Sequence, residues 1–229
     1  MDILYEDNHL LAVLKPVGIA TMGLPQGEET LLSRARAYVK RKYAKPGNVY
    51  LGVVSRLDVP VSGVVLFART SKAADRINEQ FRSRTVAKEY LALVEGRVFP
   101  AAAQCVDHVI DDPRHRKMRA TQTASPDSKE ARLTYGLLAH CGNNSLLRVE
   151  LETGRKHQIR LQLSVRGFPI LGDRKYGAKT ILPLGITLHA RRLVVRHPTR
   201  DETVELVAPV PAFWKNHGVS EPMLASFDP

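Results

Sequence analysis

The stretch YLGVVSRLDVPVSGVVLFA, residues 50–68, sets the reading of this chain. Two short apolar runs, Tyr50–Val54 and Val64–Ala68, flank Ser55-Arg56-Leu57-Asp58 and Val61-Ser62-Gly63. If the runs are strands, an arginine and an aspartate stand at their mouth. There each charge needs water, an ion pair or a ligand. Taken alone, the segment reads as a turn whose aspartate caps local backbone amides. Its company elsewhere in the chain decides whether it is more than that.

Upstream, Leu10–Leu14 reads as a strand ending at Lys15-Pro16. Glu29–Ala44 reads as a helix, with Leu31, Leu32, Ala35 and Val39 on one face and Arg and Lys on the other. Downstream, Ser71–Arg84 is predicted as a second helix, with Ser71 as its N-cap and Ala74, Ile77 and Phe81 as an apolar stripe. Lys88–Glu95 alternates as a strand does. Residues 111–129, DDPRHRKMRATQTASPDSK, are polar and arginine-rich, and read as a long exposed loop or irregular hairpin, a flexible phosphate-contacting arm outside the core. Glu130–His140, Ser145–Glu152, Leu188–Arg196 and Val204–Val207 read as further strands. Strands unevenly interleaved with a few helices predict an α+β fold, with a mostly antiparallel mixed sheet flanked by helices and loops. With no internal repeat and no linker, the expectation is a single catalytic-type domain over residues 1–229.

The charge balance points to a partner. Across 229 residues, 34 Lys plus Arg against 23 Asp plus Glu leave a net charge of +11. Such a surplus favours a polyanion, because each neutralised phosphate releases counterions. No apolar run approaches the roughly 20 residues needed to span a bilayer, so nucleic acid is favoured over membrane. The opening Met1-Asp2-Ile3-Leu4-Tyr5-Glu6-Asp7 is acidic, unlike a signal or transit peptide. Cys105 and Cys141 form no Cys-x-x-Cys pair and are expected to be buried free thiols in a reducing cytoplasm. No metal site and no phosphate-binding glycine loop is readable.

A second segment, Thr153-Gly154-Arg155-Lys156-His157-Gln158-Ile159-Arg160, packs two arginines, a lysine, a histidine and a glutamine behind a glycine. Alternation through Leu161, Leu163 and Val165 would suit a strand. Ile159 and Leu163, four apart, would equally suit a helix whose positive end favours phosphate.

In order along the chain, Arg56-Leu57-Asp58 with Ser62-Gly63, then Lys88-Glu89-Tyr90, then TGRKHQIR at 153–160 resemble the RluA-type RNA pseudouridine synthases. So do Pro169-Ile170 with Gly172-Asp173 and Tyr176-Gly177, Leu188-His189-Ala190 before His197-Pro198, and the opening that leads to Lys15-Pro16. The resemblance covers roughly residues 3–210 and implies the catalytic-domain fold of that family without the small N-terminal RNA-binding domain of many relatives. It implies that Asp58 attacks a target uridine, which is detached from its ribose, rotated and rejoined through carbon 5, with no cofactor or metal. An attacking carboxylate must be ionised near neutral pH, which a neighbouring guanidinium favours; the resemblance gives that part to Arg160. It makes Tyr90 the aromatic that packs on the uracil and aids proton movement. It makes Arg56 the cation that enters the RNA as the base turns out. Lys88, Arg155, His157 and Gln158 would bind substrate, the last three by positioning backbone or motif. The substrate would be structural RNA, ribosomal or transfer, handled by a monomer in the cytoplasm. Ser55, Val61 and Gln162 stand where the family usually carries histidine, threonine and histidine.

Overall fold

The computed structural model describes residues 1–25, 27–121 and 123–225. The chain begins with β1 (Ile3–Glu6), β2 (Leu10–Lys15), α1 (Leu31–Lys42), β3 (Gly52–Val53), β4 (Ser62–Ala68) and α2 (Ser71–Arg82). It continues with β5 (Ala87–Glu95), β6 (Ala102–Asp112), β7 (Lys117–Thr121), β8 (Lys129–Cys141) and β9 (Asn144–Leu151). Last come α3 (Gln158–Ser164), β10 (Leu188–Arg196), β11 (Thr203–Val207) and α4 (Glu221–Ala225). The class is α+β, and the strand pairs with a described register are antiparallel. Contacts divide the chain into two compact units, Met1–Ala87 with Ala190–Pro209 and Lys88–His189 with Val210–Pro229.

In the first unit β4 explains the unbroken apolar run that follows Gly63. All seven of its residues are buried. Val64 and Leu66 pack with Leu10, Ala12, Ile77, Leu193 and Val195, whereas Val65 and Phe67 pack with Leu11, Val13, Leu31, Ala35 and Val39. A strand covered on both faces has no polar side to show, so its pattern is continuous rather than alternating. Burying each Leu, Val or Phe contributes roughly 1.5–3 kcal/mol. Helix α1 starts with a capping box: Ser33 N–H donates to the Thr30 hydroxyl at 3.1 Å, and Thr30 N–H to Ser33 Oγ at 2.9 Å. The N-cap of α2 is Thr70 rather than the expected Ser71. Thr70 keeps an extended backbone (φ −136°) and accepts from Ala73 N–H at 3.1 Å, so Ser71 is already helical.

The second unit carries the strands in the order β5-β9-β8-β6-β7. Its main core joins Leu91, Leu93, Leu146, Leu171 and Trp214. The arm expected at 111–129 is in its first half a regular hairpin: β6 and β7 pair from His108↔Thr121 to Asp112↔Lys117. It is also anchored rather than loose, because Met118 and Val109 are buried against Ala131, Leu161 and Tyr176. A single buried methionine among six basic and acidic neighbours left little periodic signal of this. The segment after Arg155 resolves as a helix, α3. Cys105 and Cys141 are both buried and free.

Candidate active site

The loop that presents Asp58 is fixed almost wholly through its backbone. Thr21 Oγ1 donates to Leu57 C=O at 3.0 Å and accepts from Leu57 N–H at 3.1 Å. Gly18 N–H donates to Val59 C=O, and Val61 N–H closes a turn onto Asp58 C=O at 3.0 Å. Beneath the turn lies Lys15, fully buried, whose ammonium donates to Val61 C=O at 2.7 Å, Pro16 C=O at 2.9 Å and Val59 C=O at 3.2 Å. Three carbonyls around one ammonium satisfy its three protons. Burial pushes the Lys15 amine down to about 8, and the negative charge of Asp58 resists that shift.

Gly63 explains the Ser-Gly pair at the end of the loop. It sits at φ +127°, and a Cβ there would lie 2.3 Å from Ala190 C=O oxygen and 2.5 Å from Ala190 N. Only glycine lets β4 start this close to the Ala190 backbone. Ser55 has a local task of its own: its hydroxyl accepts from Leu66 N–H at 2.8 Å. Arg56 is exposed, and Asp58 and Leu57 are half-buried.

The 153–160 segment of the second unit is held by side chains instead. Gln158 is buried, its Oε1 accepting from Thr153 Oγ1 at 2.8 Å and Arg155 N–H at 2.9 Å, while Nε2 donates to Arg132 C=O at 2.9 Å. It braces the turn from inside. Arg155 Nε donates to Glu130 C=O at 2.9 Å, and Lys156 pairs with Asp111 at 3.0 Å on the surface. His157 adopts a left-handed backbone (φ +53°) just before α3, and its Nδ1 lies 2.8 Å from the Tyr176 hydroxyl, which also accepts from Met118 N–H at 2.9 Å.

From the first turn of α3, Arg160 forms a bidentate pair with Asp173, Nε–Oδ2 2.7 Å and Nη2–Oδ1 2.9 Å. Both side chains are buried, and the guanidinium carbon lies 5.1 Å from the centre of the Tyr176 ring. Two matched hydrogen bonds hold the guanidinium plane in one orientation. Tyr90 and Lys88 lie half-buried on β5; between them, buried Glu89 pairs with Arg148 at 2.9 Å. Each unit thus gathers its own set: Arg56 and Asp58 in the first, Lys88, Tyr90, Arg155, His157, Gln158 and Arg160 in the second.

Sequence reasoning missed the work of Lys15 and Asp173. Both were visible as members of ordered motifs, but a lysine inside a core and the carboxylate partner of an arginine thirteen residues away leave no periodic trace. Among the described residues no three His, Cys, Asp or Glu side chains converge to hold a metal. No helix among them is long and apolar enough to cross a membrane.

An Arg-x-Asp loop over a buried lysine, followed by a buried Arg-Asp pair, is the arrangement to set against known proteins. The sequence model of the family described as RNA pseudouridylate synthase matches residues 9–165. The chain belongs to the RNA pseudouridine synthases, a family of isomerases. It is 34% identical over 223 residues to the RNA pseudouridine synthase YhcT of Bacillus subtilis, covering 94% of this chain and 70% of that one. It is 37% identical over 228 residues to the ribosomal large subunit pseudouridine synthase D of Xylella fastidiosa, covering 92% and 66%. Among solved structures, human RNA pseudouridylate synthase domain containing 4 superimposes with a TM-score of 0.79 at 25% identity, covering 94% of this chain and 91% of that one.

Proposed function

We propose that this chain converts particular uridines of structural RNA to pseudouridine, with Asp58 as nucleophile on a base turned out of the RNA. Relatives named as ribosomal large subunit synthases D and C favour ribosomal RNA over transfer RNA. The observation that carries the reading is the Asp58 turn itself, pinned by Thr21, Gly18 and Gly63 around a buried ammonium. So much positioning of one half-exposed carboxylate suits a group whose placement matters to chemistry.

In this reading the bond between uracil N1 and the ribose breaks with the help of Asp58. The detached ring then rotates, carbon 5 joins the ribose, the carbon 5 proton leaves and N1 gains a proton. Atoms and electrons balance without an oxidant or cofactor. Arg160, held flat by Asp173, supplies positive charge to the reaction and Tyr90 packs on the uracil. Arg56, exposed and without an ion pair among the described residues, fills the gap left by the flipped base. Lys88, Arg155 and His157 order the RNA around the site, with Gln158 setting the turn. Arg114 and Arg116, exposed at the tip of the β6–β7 hairpin, contact phosphates beside the target. In this reading the chain is a single catalytic domain, a monomer in the cytoplasm.

The test is a pseudouridine map of total RNA with and without the gene, joined to a purified assay of Asp58→Ala. One or more sites should vanish from the map, and the variant should bind RNA yet form no pseudouridine. Undiminished product from Asp58→Ala would refute the assignment.

A further inference from the structure

The first unit has a concave feature beside α1. A cleft of about 570 Å³ is lined by Arg36, Ala37 and Lys40 of α1, by Gly47, Asn48 and Val49, and by Tyr50. We infer that this cleft is an accessory RNA site that takes one unpaired nucleotide, with its phosphate between Arg36 and Lys40 and its base on Tyr50. The inference rests on the RNA-substrate reading above.

Four observations support it. Arg36 and Lys40 are one turn apart on α1, so the guanidinium and the ammonium face the same rim, and like charges at this spacing disfavour an isolated helix. Neither has an ion-pair partner among the described residues, although Arg34 and Lys42 on the same helix are paired with Glu29 and Glu6. No lining residue is acidic. Finally, Tyr50 is 50% exposed and its hydroxyl end lies over Gly52, where a Cβ would be 2.8 Å from the Tyr50 hydroxyl and 3.0 Å from Ala74. Glycine at 52 admits the phenol end and leaves part of the ring open to the cleft. A solvated basic face needs neither a cavity nor an aromatic beside it. A cation pair beside an open aromatic is the combination that binds single-stranded nucleic acid.

The cleft is also within reach of the chemistry. Tyr50 and Asp58 are eight positions apart, a span of at most roughly 28 Å of extended chain. An RNA whose uridine sits at Asp58 could therefore lay a flanking unpaired nucleotide here, adding affinity and choice of site without touching the reacting atoms.

The experiment uses the full chain, a fluorescein-labelled 12-nucleotide single-stranded RNA, and the same sequence as a duplex. Tyr50→Leu should weaken single-strand binding about tenfold, while Tyr50→Phe, which keeps the ring, should bind as the parent does. In Arg36→Glu/Lys40→Glu the slope of log affinity against log salt should fall by roughly 0.7, the share of the one phosphate held between them. Duplex binding should change less, and pseudouridine formation at saturating RNA should keep its rate while KM rises. Unchanged single-strand affinity and salt slope in both variants would overturn the inference. So would unchanged RNA binding with a polyglutamate probe captured at the cleft, which would assign it to an acidic protein. Loss of product in Asp58→Ala alone bears on the proposed function and leaves this cleft untouched.

Discussion

The two motif segments achieve fixed geometry by opposite means. The Asp58 loop is held by backbone groups: a threonine clasping Leu57 on both sides, an amide on Val59, a buried lysine on three carbonyls and a glycine without which β4 could not begin. The 153–160 segment is held by side chains: the Gln158 brace, the His157–Tyr176 contact and the buried Arg160–Asp173 pair. The first arrangement tolerates varied side chains so long as the main chain keeps its path, which is how Ser55 can take the place of a family histidine and still bond Leu66. The second tolerates little exchange of polar groups, because each buried donor has a partner that would be left behind.

The largest expected effect tests the backbone side of this contrast. Gly63→Ala places a methyl 2.3 Å from a backbone oxygen in a conformation closed to other residues. It should destabilise the protein by more than about 4 kcal/mol, the range reserved for forced backbone or core rearrangement. Urea unfolding measures it, and a soluble variant within about 1 kcal/mol of the parent would show that the loop is not backbone-limited.

Next comes the side-chain half. Asp173→Asn removes the carboxylate charge from the buried, bidentate Arg160–Asp173 pair, at a cost of about 3–5 kcal/mol. Replacing both, Arg160→Met with Asp173→Leu, should recover most of that stability, since an apolar pair of similar volume avoids the uncompensated charge. Pseudouridine formation should not return with it. Recovery of both stability and product would remove Arg160 from the proposed chemistry.

Lys15 combines the two means, a side chain whose hydrogen bonds all go to backbone carbonyls. Lys15→Met should lower stability by roughly 1–3 kcal/mol through unpaired carbonyls and slow product formation by loosening the Asp58 turn. The pH dependence has a definite sign. Folding holds the amine at about 8 against a usual 10.5, so between these values the unfolded chain keeps a proton that the folded one has released. This group therefore makes stability rise with pH from about 8 to 10.5. Urea melts across that window should show the rise in the parent and its loss in Lys15→Met; identical slopes would mean that the ammonium is not what the loop encloses.

Much of this contrast was legible in the residues themselves. The buried strand after Gly63, both long helices and most of the later strands follow from apolar spacing, and the ordered motifs gave the family. Three features did not follow. Short β1 and the 102–112 stretch carry too little alternation to announce strands, and pairing with β2 and with β8 completes them. The 111–129 region is polar and carries no apolar period, and the anchoring role of Met118 depends on Tyr176, 58 residues away. Asp173 and Lys15 act through partners that only the fold brings near.

The smallest effect sharpens the comparison most. His157 and Gly63 both have positive φ, +53° and +127°, but for different reasons. Nothing forbids a side chain at 157; the histidine is there for its ring, whose Nδ1 meets Tyr176. In His157→Gly the relief of a left-handed backbone, worth about 1 kcal/mol, should nearly offset the loss of one hydrogen bond of about 1 kcal/mol. Stability should then stay within about 1 kcal/mol of the parent. If the ring orders RNA, the variant's KM should rise while its melting temperature holds. A loss of stability comparable to that of Gly63→Ala would mean that the 153–160 turn, too, is dictated by its backbone, and the division between the two segments would fail.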